Sequence, residues 1–103
     1  MYEANVVVLH NVNAFGENRN APPRYEEVFA FSDSRCDEWN GDHLEVVFSI
    51  CNGAAEVDWH AEWSAAYYDQ KVRSLSVSDV VFINGTFYRC ESVGWVTLPG
   101  KPD

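Results

Sequence analysis

Val80-Val81-Phe82-Ile83 and Thr86-Phe87-Tyr88-Arg89-Cys90 are separated by only two residues, Asn84 and Gly85. Asn-Gly adopts positive φ at both positions, which is what a type I′ turn needs if its twist is to match two antiparallel strands. The chain is committed to a hairpin here, and the strands must bury their apolar side chains against something else. Gly94 permits a bend before Trp95-Val96-Thr97-Leu98, a third strand that ends at Pro99-Gly100. Ser76, Ser78 and Asp79 are residue types that hydrogen-bond their own backbone in turns, so 74–79 is expected to lead tightly into the hairpin. The C-terminal third reads as a three-stranded meander.

Upstream, Asn5-Val6-Val7-Val8-Leu9-His10 is short, β-branched and nearly continuous in apolar character, the pattern of a central strand covered on both faces. The Asn-, Gly- and Pro-rich run from Asn11 to Arg24 is a loop by composition. Tyr25 to Ser32 resumes as a strand expected to pair with the first. Its strict alternation places Tyr25, Glu27, Phe29 and Phe31 on one face and Glu26, Val28, Ala30 and Ser32 on the other. A polar connection, Asp33 to Gly41, follows. Asp42, with Glu45 three residues on, forms a D-x-x-E arrangement close to a capping box, and Leu44, Val47, Phe48 and Cys51 recur at helical spacing before Asn52-Gly53. A helix is predicted over 42–52. For 54–70 two readings stay open: Trp59, Trp63 and Tyr67 stand four apart, as on one face of a helix, while Asp58-Trp59-His60-Ala61 also fits an extended edge.

With 103 residues and 47% of them hydrophobic, the chain supports one modest core and one domain. The expected class is α+β: an antiparallel sheet with the C-terminal meander packed on the helix at 42–52. No apolar run reaches the length of a membrane span, and Met1-Tyr2-Glu3-Ala4 carries neither part of a secretory signal, so a cytoplasmic protein is expected. Cys36, Cys51 and Cys90 are odd in number and include no C-x-x-C pair, which points to reduced thiols, with Cys51 and Cys90 buried. Asn84-Gly85-Thr86 matches a glycosylation sequon, but its Asn-Gly is accounted for by the turn.

The net charge of −9 is concentrated in the middle of the chain. Between Glu26 and Asp69 the acids Glu26, Glu27, Asp33, Asp37, Glu38, Asp42, Glu45, Glu56, Asp58, Glu62 and Asp69 face a single base, Arg35. Such a balance argues against direct binding to nucleic acid or to an anionic membrane, both of which need Lys and Arg. It favours a basic protein partner, or a surface that is merely well solvated.

Arg73-Ser74-Leu75-Ser76-Val77-Ser78-Asp79-Val80-Val81, followed by Tyr88, Ser92 and Gly94-Trp95, resembles the YodL-like domain of small proteins from phages, plasmids and conjugative elements. In that family an R-S-L-S-V-S-D-V-[VI] segment precedes a hairpin with an aromatic centre and a G-F or G-W ending. The likeness covers the last quarter of the chain closely and the helix from Asp42 more loosely, and the N-terminal half has no counterpart. It implies a setting in mobile elements and no catalytic residues.

No catalytic constellation competes with a binding role. His60-Ala61-Glu62 supplies the H-x-E half of a zinc deaminase motif without the P-C-x-x-C that would hold the metal. The three histidines lack ligand spacing, and no phosphate loop, G-x-S-x-G or H-E-x-x-H is present. The expectation is a non-enzymatic protein without cofactor or metal. Its candidate partner-binding residues are Asp37, Glu38, Asp42, Glu45, Glu56, Asp58, Glu62 and Asp69 for charge, with Trp59, Trp63, Tyr67 and Tyr68 as anchors. For each Trp the competing reading is a core residue beneath a solvated acidic face. The expected partner is a basic host protein, such as a nucleic-acid-binding defence nuclease or effector complex inhibited by a DNA mimic of the anti-CRISPR or anti-restriction kind. The alternative is an accessory module of the element's replication or conjugation machinery, docking through an apolar hairpin face.

Overall fold

The computed structural model describes residues 4–13, 20–54 and 57–102. Strands β1 (Val6–Asn11), β2 (Tyr25–Phe31), β3 (Val80–Ile83), β4 (Thr86–Cys90) and β5 (Trp95–Thr97) form one antiparallel sheet in the order β2-β1-β3-β4-β5. Two helices, α1 (Leu44–Ile50) and α2 (Asp58–Asp69), separate the β1–β2 pair from the C-terminal meander and cover one face of the sheet. The class is α+β, with two helices where one was expected. The open segment 54–70 resolves in favour of a helix, because the four-residue spacing of Trp59, Trp63 and Tyr67 places all three against the core.

All six residues of β1 are buried, as its unbroken apolar run requires of the strand between β2 and β3. Val6 and Val8 point to the helices together with Val81 and Ile83 of β3, while Val7, Leu9, Val80 and Phe82 join Phe87 on the other face, against Ala4, Tyr25 and Leu98. Asn84 and Gly85 have φ of 42° and 107°, the positive pair that the hairpin demanded.

Strict alternation in β2 is corrected. Val8 pairs with Phe29 but Leu9 pairs with Glu27, so Val28 is an extra, bulged residue. The bulge reverses the faces below it. Phe29, Phe31 and Val28 reach the helix side, whereas Tyr25 packs on the opposite face. On the helix side α2 covers Phe29 and Phe31.

The connection from Asp33 is also more than polar. Ser34–Cys36 forms a 3₁₀ turn capped by Asp33, and Cys36 and Trp39, three residues apart, both enter the core. The start of α1 differs from the expected Asp42–Glu45 box. A 3₁₀ turn, Gly41–His43, precedes the helix; Asn40 Oδ1 accepts the Asp42 N–H at 2.8 Å, and the Asn40 N–H donates to His43 Nδ1 at 3.1 Å. The capping box is therefore built two residues earlier, because Asn40 meets the free amides first. At the other end Gly53 has φ 71°, and the Ala54 N–H donates to the Ser49 carbonyl at 2.9 Å, the stop that Asn52-Gly53 foreshadowed. Among the described residues no helix is long and apolar enough to cross a membrane.

Candidate partner-binding face

Helix α2 divides its residues sharply between two sides. Toward the sheet, Tyr67 is fully buried and edge-on to Phe29, and Trp63 stacks on Phe31 with ring centroids 4.5 Å apart. Toward solvent, Asp58, Glu62, Ala65 and Asp69 are exposed. Their spacing of four, three and four residues puts them within about 60° of one another around the helix. The three carboxylates thus form one stripe about 16 Å long.

This stripe does not serve helix stability. Asp58 in the first turn is favoured by the helix dipole, but Asp69 in the last turn is disfavoured, and the last turn holds no base to offset it. Asp58 and Glu62 are like charges at i, i+4, a pairing that costs a few tenths of a kcal/mol, roughly 0.2–0.5.

Beside the stripe lies the one base of the acidic region. The Arg35 guanidinium sits 4.3 Å from the Trp59 ring centroid. It donates from Nε to Asp33 Oδ1 at 2.9 Å and from Nη2 to Asp33 Oδ2 at 2.7 Å. Asp33 also accepts the Arg35 N–H at 2.9 Å and the Trp63 indole N–H at 3.2 Å. The Arg35 hydrogen bonds hold the Asp33 carboxyl well below the usual carboxylate range, with the Trp63 N–H assisting. The single positive charge of the region is consumed by Asp33. Among the described residues no ion pair joins Asp58, Glu62 or Asp69 to a base.

Tyr67 is a correction: with no exposure it cannot anchor a partner, and its hydroxyl serves the interior. Trp59 and Trp63 are half-buried and pack on the core, Trp59 against Trp39 and Trp63 against Phe29 and Phe31, so the core reading accounts for most of their surface. Tyr68 keeps an exposed ring, with its hydroxyl bonded to the Cys51 carbonyl and Ser74 Oγ. The remaining acids do not all join the α2 stripe. Glu45, on α1, accepts the Trp95 indole N–H at 3.4 Å, toward the β5 edge. Asp37 lies near the hairpin tip, where its side chain accepts from Asn5 at 3.3 Å. Glu38 and Asp42 are exposed, in the turn after Cys36 and in the 3₁₀ turn before α1. Glu56 lies outside the described residues.

A second polar centre had no counterpart among the expected sites. Asp79, fully buried, accepts from Arg73 Nη1 at 2.6 Å and Nη2 at 2.8 Å, from the Ser76 N–H at 2.8 Å and from the Asn11 N–H at 2.9 Å. The turn reading of Ser76 and Asp79 survives in one of these bonds, while Ser78 Oγ instead accepts from Asn11 Nδ2 of β1. The Tyr67 hydroxyl donates to the Arg73 carbonyl at 2.5 Å, which leaves its oxygen to accept from His10 Nε2 at 2.7 Å and so assigns the His10 proton to Nε2. Residues six apart touch in neither a helix nor a strand, so only the folded loop could reveal this pair. Its arrangement closes a core, with Asp79 wholly buried.

All three cysteines are buried. Burial pushes the Cys36 thiol up to about 11 and those of Cys51 and Cys90 upward as well, opposite to the direction a nucleophilic thiolate requires. His60 of the H-x-E triplet stacks edge-on to Trp59, centroids 4.1 Å apart, and near Trp39. Two clefts of about 530 and 550 Å³ lie on the sheet face away from the helices, lined chiefly by Phe87, Leu98, Pro99 and Gly100 in one case and by Tyr25, Arg89 and Leu98 in the other. β3 is buried throughout, so the hairpin presents no bare apolar strand.

Comparison with family models, curated proteins and solved structures finds no match to this chain.

Proposed function

We propose that this protein is a non-enzymatic inhibitor that docks its acidic helical face on a basic, nucleic-acid-binding partner. The carrying observation is the exposed stripe Asp58, Glu62 and Asp69 on α2, its Asp69 kept against the preference of the helix dipole, flanked by an arginine whose charge Asp33 neutralises. A partner channel built to hold phosphates presents Lys and Arg that carboxylates can occupy. Charge density bounds the mimicry: one strand of duplex DNA places about five phosphates along 16 Å, against three carboxylates here. With Glu45 toward the β5 edge and Asp37 at the hairpin tip, the stripe supplies a local acidic contact rather than the full charge density of a duplex strand. The mobile-element setting, with a host defence nuclease or effector complex as partner, follows from the resemblance of 73–95 to the YodL-like domain.

The test is capture of partners from a lysate at about 50 and about 500 mM salt, using the native protein and a D58K/E62K/D69K variant, followed by identification of what is retained. The reading requires a nucleic-acid-binding protein that is lost at high salt and absent from the variant's captures. Equal capture by both proteins overturns it. A second reading, an accessory module docking without charge, draws on the exposed Val12, Val77 and Val93, which the strand directions bring to one end of the sheet. A salt-resistant partner lost on V77D/V93D substitution supports that reading instead.

A further inference from the structure

Arg35 occupies a site with the chemistry of an arginine receptor. An aromatic floor, Trp59, lies 4.3 Å beneath the guanidinium. At its edge Asp33 presents both oxygens to the Nε and Nη2 donors, the fork-to-carboxylate geometry by which arginine is distinguished from lysine. The receiving groups have anchors besides Arg35, including the Asp33 N–H bond to Asn5 Oδ1 at 2.8 Å. Trp63 holds Asp33 Oδ2 through its indole N–H and is itself held by stacking on Phe31, while Trp59 is braced against Trp39. The Asp33 carboxylate is only 9% exposed, whereas the Arg35 side chain is 53% exposed. The slot thus borders the core, with Asp33 partly covered by Arg35 itself, and its occupant is about half exposed to water. Arg35 also lies close enough to Glu62 of the α2 stripe to feel its charge, so a displaced Arg35 has a second carboxylate nearby.

We propose that Asp33, Trp59 and Trp63 form a guanidinium-binding slot, filled in the free protein by Arg35 and open to exchange with an arginine side chain of the partner. An intramolecular occupant makes the slot selective: an incoming group has to equal the bidentate bonds and ring contact that Arg35 already makes. A lysine, with a compact ammonium and no planar fork, does not. The inference that the incoming arginine comes from a protein rests on the acidic-face reading, but the slot itself does not.

The experiment uses R35A, in which the slot is vacated, and follows the Trp59 and Trp63 indole N–H resonances by NMR while N-acetyl-arginine methylamide is added. The expected result is a saturable shift of both resonances, with half-saturation in the millimolar range for a ligand this small. N-acetyl-lysine methylamide should bind at least about tenfold more weakly, and the native protein should need severalfold more ligand than R35A. No saturable shift in R35A, or an equal response to the lysine analogue, overturns the slot. R35Q, which keeps side-chain bulk, is measured in parallel. If R35A and R35Q both lose the folded spectrum, Arg35 is structural rather than an occupant, and the proposal falls. Because the ligand is a small molecule on purified protein, a positive titration beside a failed partner capture leaves the slot standing and removes the acidic-face reading alone.

Discussion

At the scale of single residues, Asp79 and Asp33 show how burial changes the worth of one ion pair. Both accept two hydrogen bonds from an arginine side chain, yet Asp79 is wholly buried and also ties β1 to the loop before β3, whereas the Arg35 partner of Asp33 faces water. Removing one member of a buried pair strands the other, so D79N should cost about 3 kcal/mol, toward the low end for buried pairs because Arg73 keeps some access to water. R35A, at a pair that faces water, should cost far less. Urea unfolding of the two variants checks the ratio. His10 adds a pH dependence. Burial lowers its pKa, outweighing the opposing pull of Asp79, and Arg73 lowers it further. His60, lowered by burial and by Arg35, acts in the same sense. The unfolded chain then binds more protons than the folded one between the depressed folded values and about 6.5, so stability falls as pH drops through that window. H10Q, which keeps a donor for Tyr67, should flatten the decline on the acid side of 6.5; an unchanged pH profile would assign the decline elsewhere.

At the scale of elements, α2 and the β3–β4 hairpin carry the informative tests. Asp69 opposes the helix dipole, so D69K should stabilise the protein by about 0.3–1 kcal/mol. The same substitution should weaken capture of a basic partner, a trade of stability for binding that a merely solvated face would not show. The hairpin turn hides a second role. Asn84 Nδ2 lies 2.8 Å from the Cys36 carbonyl and 2.9 Å from that of Trp39, and Asn84 Oδ1 accepts from Asn5 at 3.0 Å, so the turn bolts the 3₁₀ segment to the sheet. N84G keeps the positive φ but loses these bonds, and should cost about 1–2 kcal/mol by thermal or urea unfolding. Turn preference alone predicts a neutral change. The hairpin itself was legible because two adjacent residues settle it. The bulge at Val28 was not, since nothing between Tyr25 and Phe31 states which face α2 fills. The early capping by Asn40 was likewise illegible, because two competent caps stood two residues apart and the 3₁₀ turn decided between them.

At the scale of the whole molecule, a net charge of −9 makes the folded state repel itself. Raising NaCl from about 10 to about 150 mM shortens the screening length from about 30 to about 8 Å. The melting temperature should therefore rise by about 2–4 °C, and the rise should shrink in D58K/E62K/D69K. A melting temperature indifferent to salt would mean that the acids are too widely spread to act together. The structure gives that question a divided answer. Asp58, Glu62 and Asp69 align because they share one helix, while Glu45 faces the β5 edge and Asp37 the hairpin tip.

The amino-acid sequence by itself determined what rests on neighbours within a few positions: the Asn84-Gly85 turn, the central burial of β1, the stop at Gly53 and the acidic bias of the middle of the chain. Local sterics and periodicity are complete over such short spans. Tertiary structure alone decided that Tyr67 turns inward, that Arg73 closes on Asp79, and that Arg35 lies over Trp59 between Asp33 and the α2 stripe. Those outcomes depend on which surfaces meet across the fold, and a charge or an aromatic ring has no assigned partner until the chain has closed around it.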